Sequence, residues 1–144
     1  MNWFKDTIKI STRGKGLYPF THEVTMRITN WGIQEGMCYL YIPHTSASLT
    51  ISENYDPTAK EDINVFMDKL VPENLPWYRH TLEGPDDSPS HIRALITDTS
   101  LVIPIDNDQL TLGRWQGIFL FEHRVRGQER MVFLRCLGVQ VNTD

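Results

Sequence analysis

The sequence predicts an α+β fold: one compact domain over residues 1–144, with mixed or antiparallel sheets and about three helices. Three observations carry this reading. The last third is a succession of strand-like runs separated by turn residues. Asp56-Pro57 and Ser88-Pro89 each pair a capping side chain with a proline suited to a helix's first turn. At 144 residues, 40% apolar and 22% charged, the chain suffices for a single core and is too apolar for disorder.

Residues 3–11 alternate around Phe4, Ile8 and Ile10, a first strand, and Arg13-Gly14-Lys15-Gly16 is a turn. Thr21 is read as an N-cap, with Val24, Ile28 and Trp31 at helical spacing and Gly32 as the stop. The short aromatic run 37–42 reads as a buried strand, which Pro43 ends to deliver His44 just past it. Leu49 and Ile51 alternate with Thr50 and Ser52, a half-buried strand over Ser48 to Glu53. After Asp56-Pro57, Ile63, Phe66, Met67 and Leu70 give a helix one core-facing stripe, and Pro72 stops it. Residues 72–90 hold four of the eight prolines, with Trp77, Tyr78 and Leu82 expected to pack the loop down. Ser88-Pro89 then opens a short helix whose apolar face is Ile92, Leu95 and Ile96. His91 is placed in its first turn, where backbone N–H groups favour an anion. Strands are expected at 99–105, 109–112, 115–124 and 130–139.

A net charge of −4 without any basic run argues against nucleic acid and anionic membrane as partners, though a few arginines suffice for one phosphate. The charged N-terminus is unlike a signal peptide, and no apolar run reaches the length of a membrane span. Cys38 and Cys136 sit in apolar strand-like runs and read as two buried thiols of a reducing compartment. The expectation is a soluble cytoplasmic protein.

Chemistry concentrates in His44 to Asn54, which holds a histidine, hydroxyls, a carboxylate and an amide. The alternation puts Glu53 on the face of Leu49 and Ile51, where a bare carboxylate costs several kcal/mol, roughly. It either serves a site or ends the strand at the surface and caps a neighbour. Glu122 is a second carboxylate in line with core positions, Ile118 and Leu120. His44, His80, His91 and His123 invite scrutiny. His80 and Glu83, with Asp86, Asp87 and His91 behind them, have the short spacing of nitrogen and oxygen ligands for Zn²⁺ or a similar ion, with His44 as a third histidine. A polar loop held by hydrogen bonds explains the same residues without an ion. No G-x-S-x-G elbow, P-loop or dinucleotide fingerprint is present, and no organic cofactor is expected. Gly117, inside a strand, implies close approach by a ligand or another backbone.

Three segments, HTSASLTISENYDPT, EGPDDSPSHIRA and LGRWQGIFLFEHR, together resemble the YjbQ family, small proteins some of which have a weak secondary thiamine-phosphate synthase activity. The resemblance covers nearly the whole chain in order. It implies an α+β fold, a homotrimer and one polar pocket. That pocket gathers His44, Thr45, Ser46, Glu53, Asn54 and Asp56 from the first motif, and Glu83, Asp86, Asp87 and His91 from the second. Trp115, Gln116 and Glu122 come from the third, with Arg130 as basic partner. Arg114 departs from the threonine usual in that family and adds positive charge beside Trp115.

Two functions follow from the resemblance. One is transfer of a hydroxymethylpyrimidine group from its diphosphate to thiazole phosphate. His91, Arg130 and a metal ion (zinc or magnesium) would neutralise the diphosphate, Trp115 would stack on the ring, and Glu53 or Glu122 would offset its developing charge. The other is a pocket that captures a small phosphorylated metabolite or a metal without turnover.

Overall fold

The computed structural model describes residues 1–141. The chain runs β1 (Asn2–Ser11), β2 (Gly16–Pro19), α1 (Thr21–Trp31), β3 (Ile33–Tyr41), β4 (Ala47–Glu53), α2 (Pro57–Leu70), α3 (Asp87–Leu95), β5 (Ser100–Asp106), β6 (Gln109–Leu110), β7 (Gln116–Glu122) and β8 (Glu129–Gln140). Two antiparallel sheets result, ordered β1-β8-β3-β5-β6 and β2-β7-β4.

One core unites both sheets and α1. Ile8, Leu40, Ile103, Val132 and Leu134 of the larger sheet meet Leu49, Ile118 and Leu120 of the smaller one, with Val24 and Ile28 of α1 packed alongside. The opposite face of the smaller sheet carries Leu17, Phe119 and Phe121 against Met67 of α2. Strand β7 is therefore buried on both faces, which explains its unbroken run Ile118-Phe119-Leu120-Phe121 instead of an alternation. No helix among the described residues is long and apolar enough to cross a membrane.

Several local expectations are corrected. Phe20, not Thr21, holds the N-cap position of α1, and the Thr21 hydroxyl accepts the Ile118 N–H at 2.9 Å instead. The stripe on α2 is only partly covered: Met67 is buried and Ile63 half-covered, while Phe66 and Leu70 are exposed. In the following loop Tyr78 is tied down through its hydroxyl, which donates to the Pro72 carbonyl at 2.8 Å, but Trp77 and Leu82 are exposed.

Helix α3 differs most. It begins at Asp87, so His91 lies one turn inside it and the helix start is occupied by carboxylates. Leu95 and Ile96 face solvent, and the buried face is Asp87, Pro89, Ser90, Arg93 and Ala94. A helix that buries polar side chains and exposes leucine is oriented by something other than hydrophobic packing.

Candidate functional site

Strand β7 positions two separate sets of candidates. At one end Ala47 pairs with Glu122, at the other Glu53 pairs with Gln116. Six residue steps lie between, about 20 Å at strand rise. The single polar pocket implied by the resemblance is thus two places in one chain.

At the Glu53 end each candidate side chain has a local task. Both Glu53 oxygens accept the Asp56 N–H, at 3.1 and 3.2 Å, and Asp56 in turn caps α2 by accepting the Thr58 N–H at 2.9 Å and its hydroxyl at 2.8 Å. Those Thr58 hydrogen bonds hold the Asp56 carboxyl below its usual range. The Gln116 side chain accepts the Gly113 N–H at 2.7 Å. The neighbour that Gly117 makes room for is Asn54: a Cβ there would lie 2.8 Å from the Asn54 Cβ. Trp115 packs edge-on against Tyr55, with the Arg114 guanidinium over its ring. Glu53 thus makes the strand-end cap contact, accepting the N–H of the residue that caps α2.

The other end is built around α3. A turn at Gly84, whose φ of +114° suits glycine, brings the chain back to deliver Asp86 and Asp87. Asp87 is buried and lies between two imidazoles: His80 Nε2 is 3.0 Å from Oδ2, and His91 Nε2 is 3.0 Å from Oδ1. The three donor atoms lie within 4.8 Å of one another. Arg124 holds both aspartates, donating from Nε to Asp86 at 3.0 Å and from Nη1 to Asp87 at 2.5 Å. Burial raises the Asp86 carboxyl, but the Val125 N–H and Arg124 outweigh it and leave the group lowered.

His91 Nδ1 is 2.8 Å from the Thr45 carbonyl oxygen. A carbonyl only accepts, so Nδ1 carries the hydrogen and neutral His91 turns an Nε2 lone pair toward Asp87. Two lone-pair atoms at that separation need a cation between them or a proton on Nε2. Tetrahedral zinc ligands at about 2.0–2.2 Å from the ion lie about 3.3 Å apart; each imidazole is 3.0 Å from its nearer Asp87 oxygen, and the three donor atoms all lie within 4.8 Å of one another. An imidazole whose Nδ1–H is tied to a backbone carbonyl is the usual second-shell arrangement of a metal-bound histidine.

The expected trio of histidines is corrected at one position. Asp87 is the third donor of the cluster, and His44 is outside it. His44 Nε2 accepts the Met131 N–H at 2.9 Å, and burial together with Arg130 lowers its pKa. His44 and His91 do share the wall of a cavity of about 480 Å³, with Thr45, Ala94, Leu95 and Thr99. A polar cavity of about 560 Å³ adjoins it across Thr45 and His91, lined also by Ser46, His80, Glu83, Asp87, Arg126 and Gln128 among others.

Glu122 and Arg130 are buried and paired with each other, so neither is poised toward a ligand in the role the resemblance suggested. Arg130 donates from Nε at 2.9 Å and from Nη2 at 2.5 Å, the Thr12 hydroxyl adds 2.6 Å, and the His123 and Arg124 N–H groups complete the carboxylate's shell. Arg130 also holds the Ser46 carbonyl and hydroxyl. This pair fastens the segment that carries His44 and Thr45.

Sequence reasoning missed the Arg124 clamp, whose only signal was a cation in FEHRVR to match the Asp86-Asp87 pair. It also missed the chain below the site, where His123 Nε2 is 2.9 Å from Ser48 Oγ and Thr97 Oγ1 is 2.6 Å from the same oxygen and 2.7 Å from the Arg93 carbonyl. Thr97 Oγ1 is the donor shared between both acceptors, and the direction of the Ser48–His123 bond is set by the imidazole's tautomer.

The family profile described as "UPF0047 protein YjbQ-like" matches residues 6–139. The UPF0047 protein sll1880 of Synechocystis is 44% identical over 134 residues, covering 93% of this chain and 91% of that protein. UPF0047 protein YjbQ of Salmonella typhimurium is 39% identical over 137 residues, covering 94% and 99%. Among solved structures, a YbjQ-like protein of unknown function from Sulfolobus solfataricus superposes with a TM-score of 0.86 at 25% identity, covering 96% of this chain and 99% of that one.

Proposed function

The chain belongs to the UPF0047 YjbQ-like family, and we propose that its working site is His80, Asp87 and His91 holding a divalent ion that captures the phosphate of a small phosphorylated metabolite. The observation that supports this reading is the His91 ring orientation, fixed by Thr45 so that Nε2 faces Asp87 Oδ1 at 3.0 Å, a contact that either a proton or a metal ion satisfies. Two imidazoles and one carboxylate suit zinc better than magnesium, which prefers oxygen ligands and keeps its waters. Three protein ligands leave a coordination position for an oxyanion.

The charges make capture depend on the ion. Glu83, Asp86 and Asp87 against Arg124 and Arg126 sum to −1, and a divalent ion brings the cluster to +1. Metal-free protein is therefore expected to leave inorganic phosphate unbound, whereas zinc-loaded protein binds it saturably. Phosphate binding that is equal with and without zinc contradicts this reading.

The enzymatic form of the same reading is thiamine-phosphate synthase-like transfer, with the ion and Arg126 taking the charge of a departing diphosphate. It draws support from the paired cavities, one polar and one largely apolar, that meet at His91. Trp115 and Glu53 do not serve it within one chain, being at the far end of β7. A time course with the pyrimidine diphosphate and thiazole phosphate, with and without Zn²⁺ or Mg²⁺, separates the two forms: product beyond one equivalent per site means turnover, and saturable binding without product means capture.

A homotrimer is part of the proposal, its number of chains resting on the family resemblance. The outer face of the larger sheet supplies apolar surface for it. Register aligns Trp3, Leu137, Met37 and Pro104 in one row and Phe133 beside Tyr41 in another, and Trp3, Tyr41 and Leu137 are exposed. A sedimentation mass of one chain at micromolar concentration contradicts it.

A further inference from the structure

The geometry points to the cavity beside the metal cluster as the recognition pocket for the uncharged part of the bound anion, with His44 Nδ1–H as the donor that selects it. This rests on the reading that the His80–Asp87–His91 ion takes the ligand's phosphate. It adds what the rest of that ligand is: a small, largely apolar group carrying one hydrogen-bond acceptor.

His44 follows Pro43 past the end of β3, and Nε2 accepts the Met131 N–H at 2.9 Å. A backbone N–H only donates, so Nε2 holds a lone pair and Nδ1 carries the hydrogen. That N–H has no hydrogen-bond partner among the described residues, and His44 is a wall of the cavity. Met131 is a residue of β8 paired to β1, so the imidazole is held by the sheet and needs no reorganisation to offer its donor.

The rest of the wall suits an apolar body: Ala94 is buried, Leu95 forms an exposed edge, and the Thr99 side chain completes it. Leu95, on the exposed side of α3, gives that wall an apolar outer edge. The cavity shares Thr45 and His91 with the polar one, so one ligand reaches from the ion, past the His91 ring, to His44. A purely inorganic anion would use only half of this surface.

Calorimetry on zinc-loaded full-length protein tests it with three probes: inorganic phosphate, benzyl phosphate and pyridin-3-ylmethyl phosphate, the last two differing by one ring atom. Benzyl phosphate is expected to bind about tenfold tighter than inorganic phosphate, from the ring area it buries. The pyridyl probe is expected to gain about fivefold more, the worth of one neutral hydrogen bond. In His44→Phe the pyridyl-to-benzyl ratio falls to about one. Should that variant fail to fold, ¹⁵N spectra of the wild-type imidazoles report instead, the pyridyl probe shifting His44 Nδ1 and the benzyl probe leaving it in place. Equal affinity for inorganic and organic phosphates overturns the recognition pocket and leaves the metal site standing, as does a pyridyl preference that survives in His44→Phe. No binding of any probe overturns both.

Discussion

His91 Nε2 lies 3.0 Å from Oδ1 of Asp87, one helical turn before it, while the other ring nitrogen is committed to a backbone carbonyl. The contact is satisfied by a proton on Nε2 or by a metal ion, and the two exclude each other. Zinc binding is therefore expected to release protons and to tighten as pH rises. Titrations in buffers of different ionisation enthalpy measure this, and identical heats in all of them contradict it.

Glu53→Gln is expected to fold and to keep zinc and phosphate binding at wild-type levels, because Glu53 only accepts the Asp56 N–H and pairs with Gln116, about 20 Å along β7 from the end that carries Glu122. A stability change within about 1 kcal/mol is the expected outcome for a half-buried cap that keeps one acceptor oxygen. Loss of phosphate binding in this variant would join the two ends of β7 into one site.

Glu122→Gln is expected to be far more costly, since it leaves Arg130 buried without its counter-charge. Breaking one partner of such a pair costs about 3–5 kcal/mol. Urea denaturation measures it; a loss below about 1 kcal/mol would mean that Arg130 finds another partner.

His123 gives a pH dependence of defined sign. Burial, then Arg93 and Arg130, push its pKa down from 6.5 to about 3. Between these values the unfolded chain binds the proton and the folded chain does not, so stability falls as pH drops below 6.5, by about 1.4 kcal/mol per unit. Above 6.5 the group contributes no slope. From pH 7 to pH 5 the wild type is expected to lose about 2 kcal/mol more than His123→Gln, which keeps the donor to Ser48 but does not titrate. Parallel pH profiles of the two proteins would contradict it.

The elements were legible where local chemistry and packing agree. Asp56-Pro57 marked α2 because cap and proline act within one turn, and Leu49 and Ile51 marked β4 by alternation. Strand β2 escaped because four residues, two of them glycine and proline, carry no period. On α3 the apolar residues at helical spacing pointed the wrong way, because the Arg124 clamp and the two histidines, not burial, orient that helix. Of the site, the second motif and His80 were visible as ligand types at short spacing. The division of the first and third motifs between two ends of β7 was not visible, since it follows from the pairing of Ala47 with Glu122 and Glu53 with Gln116, which no local pattern encodes. Nor does local sequence reveal that Glu122 meets Arg130 in the core.

Whether His80, Asp87 and His91 form one metal site is decided by a calorimetric Zn²⁺ titration of metal-free protein beside Asp87→Asn. One ion per chain is expected in the wild type and an affinity at least about tenfold weaker in Asp87→Asn, the loss of a charged ligand costing no less than that of an outer-shell partner. Wild-type protein that takes up no zinc saturably, or an Asp87→Asn variant that binds it as tightly as wild type, would contradict the account.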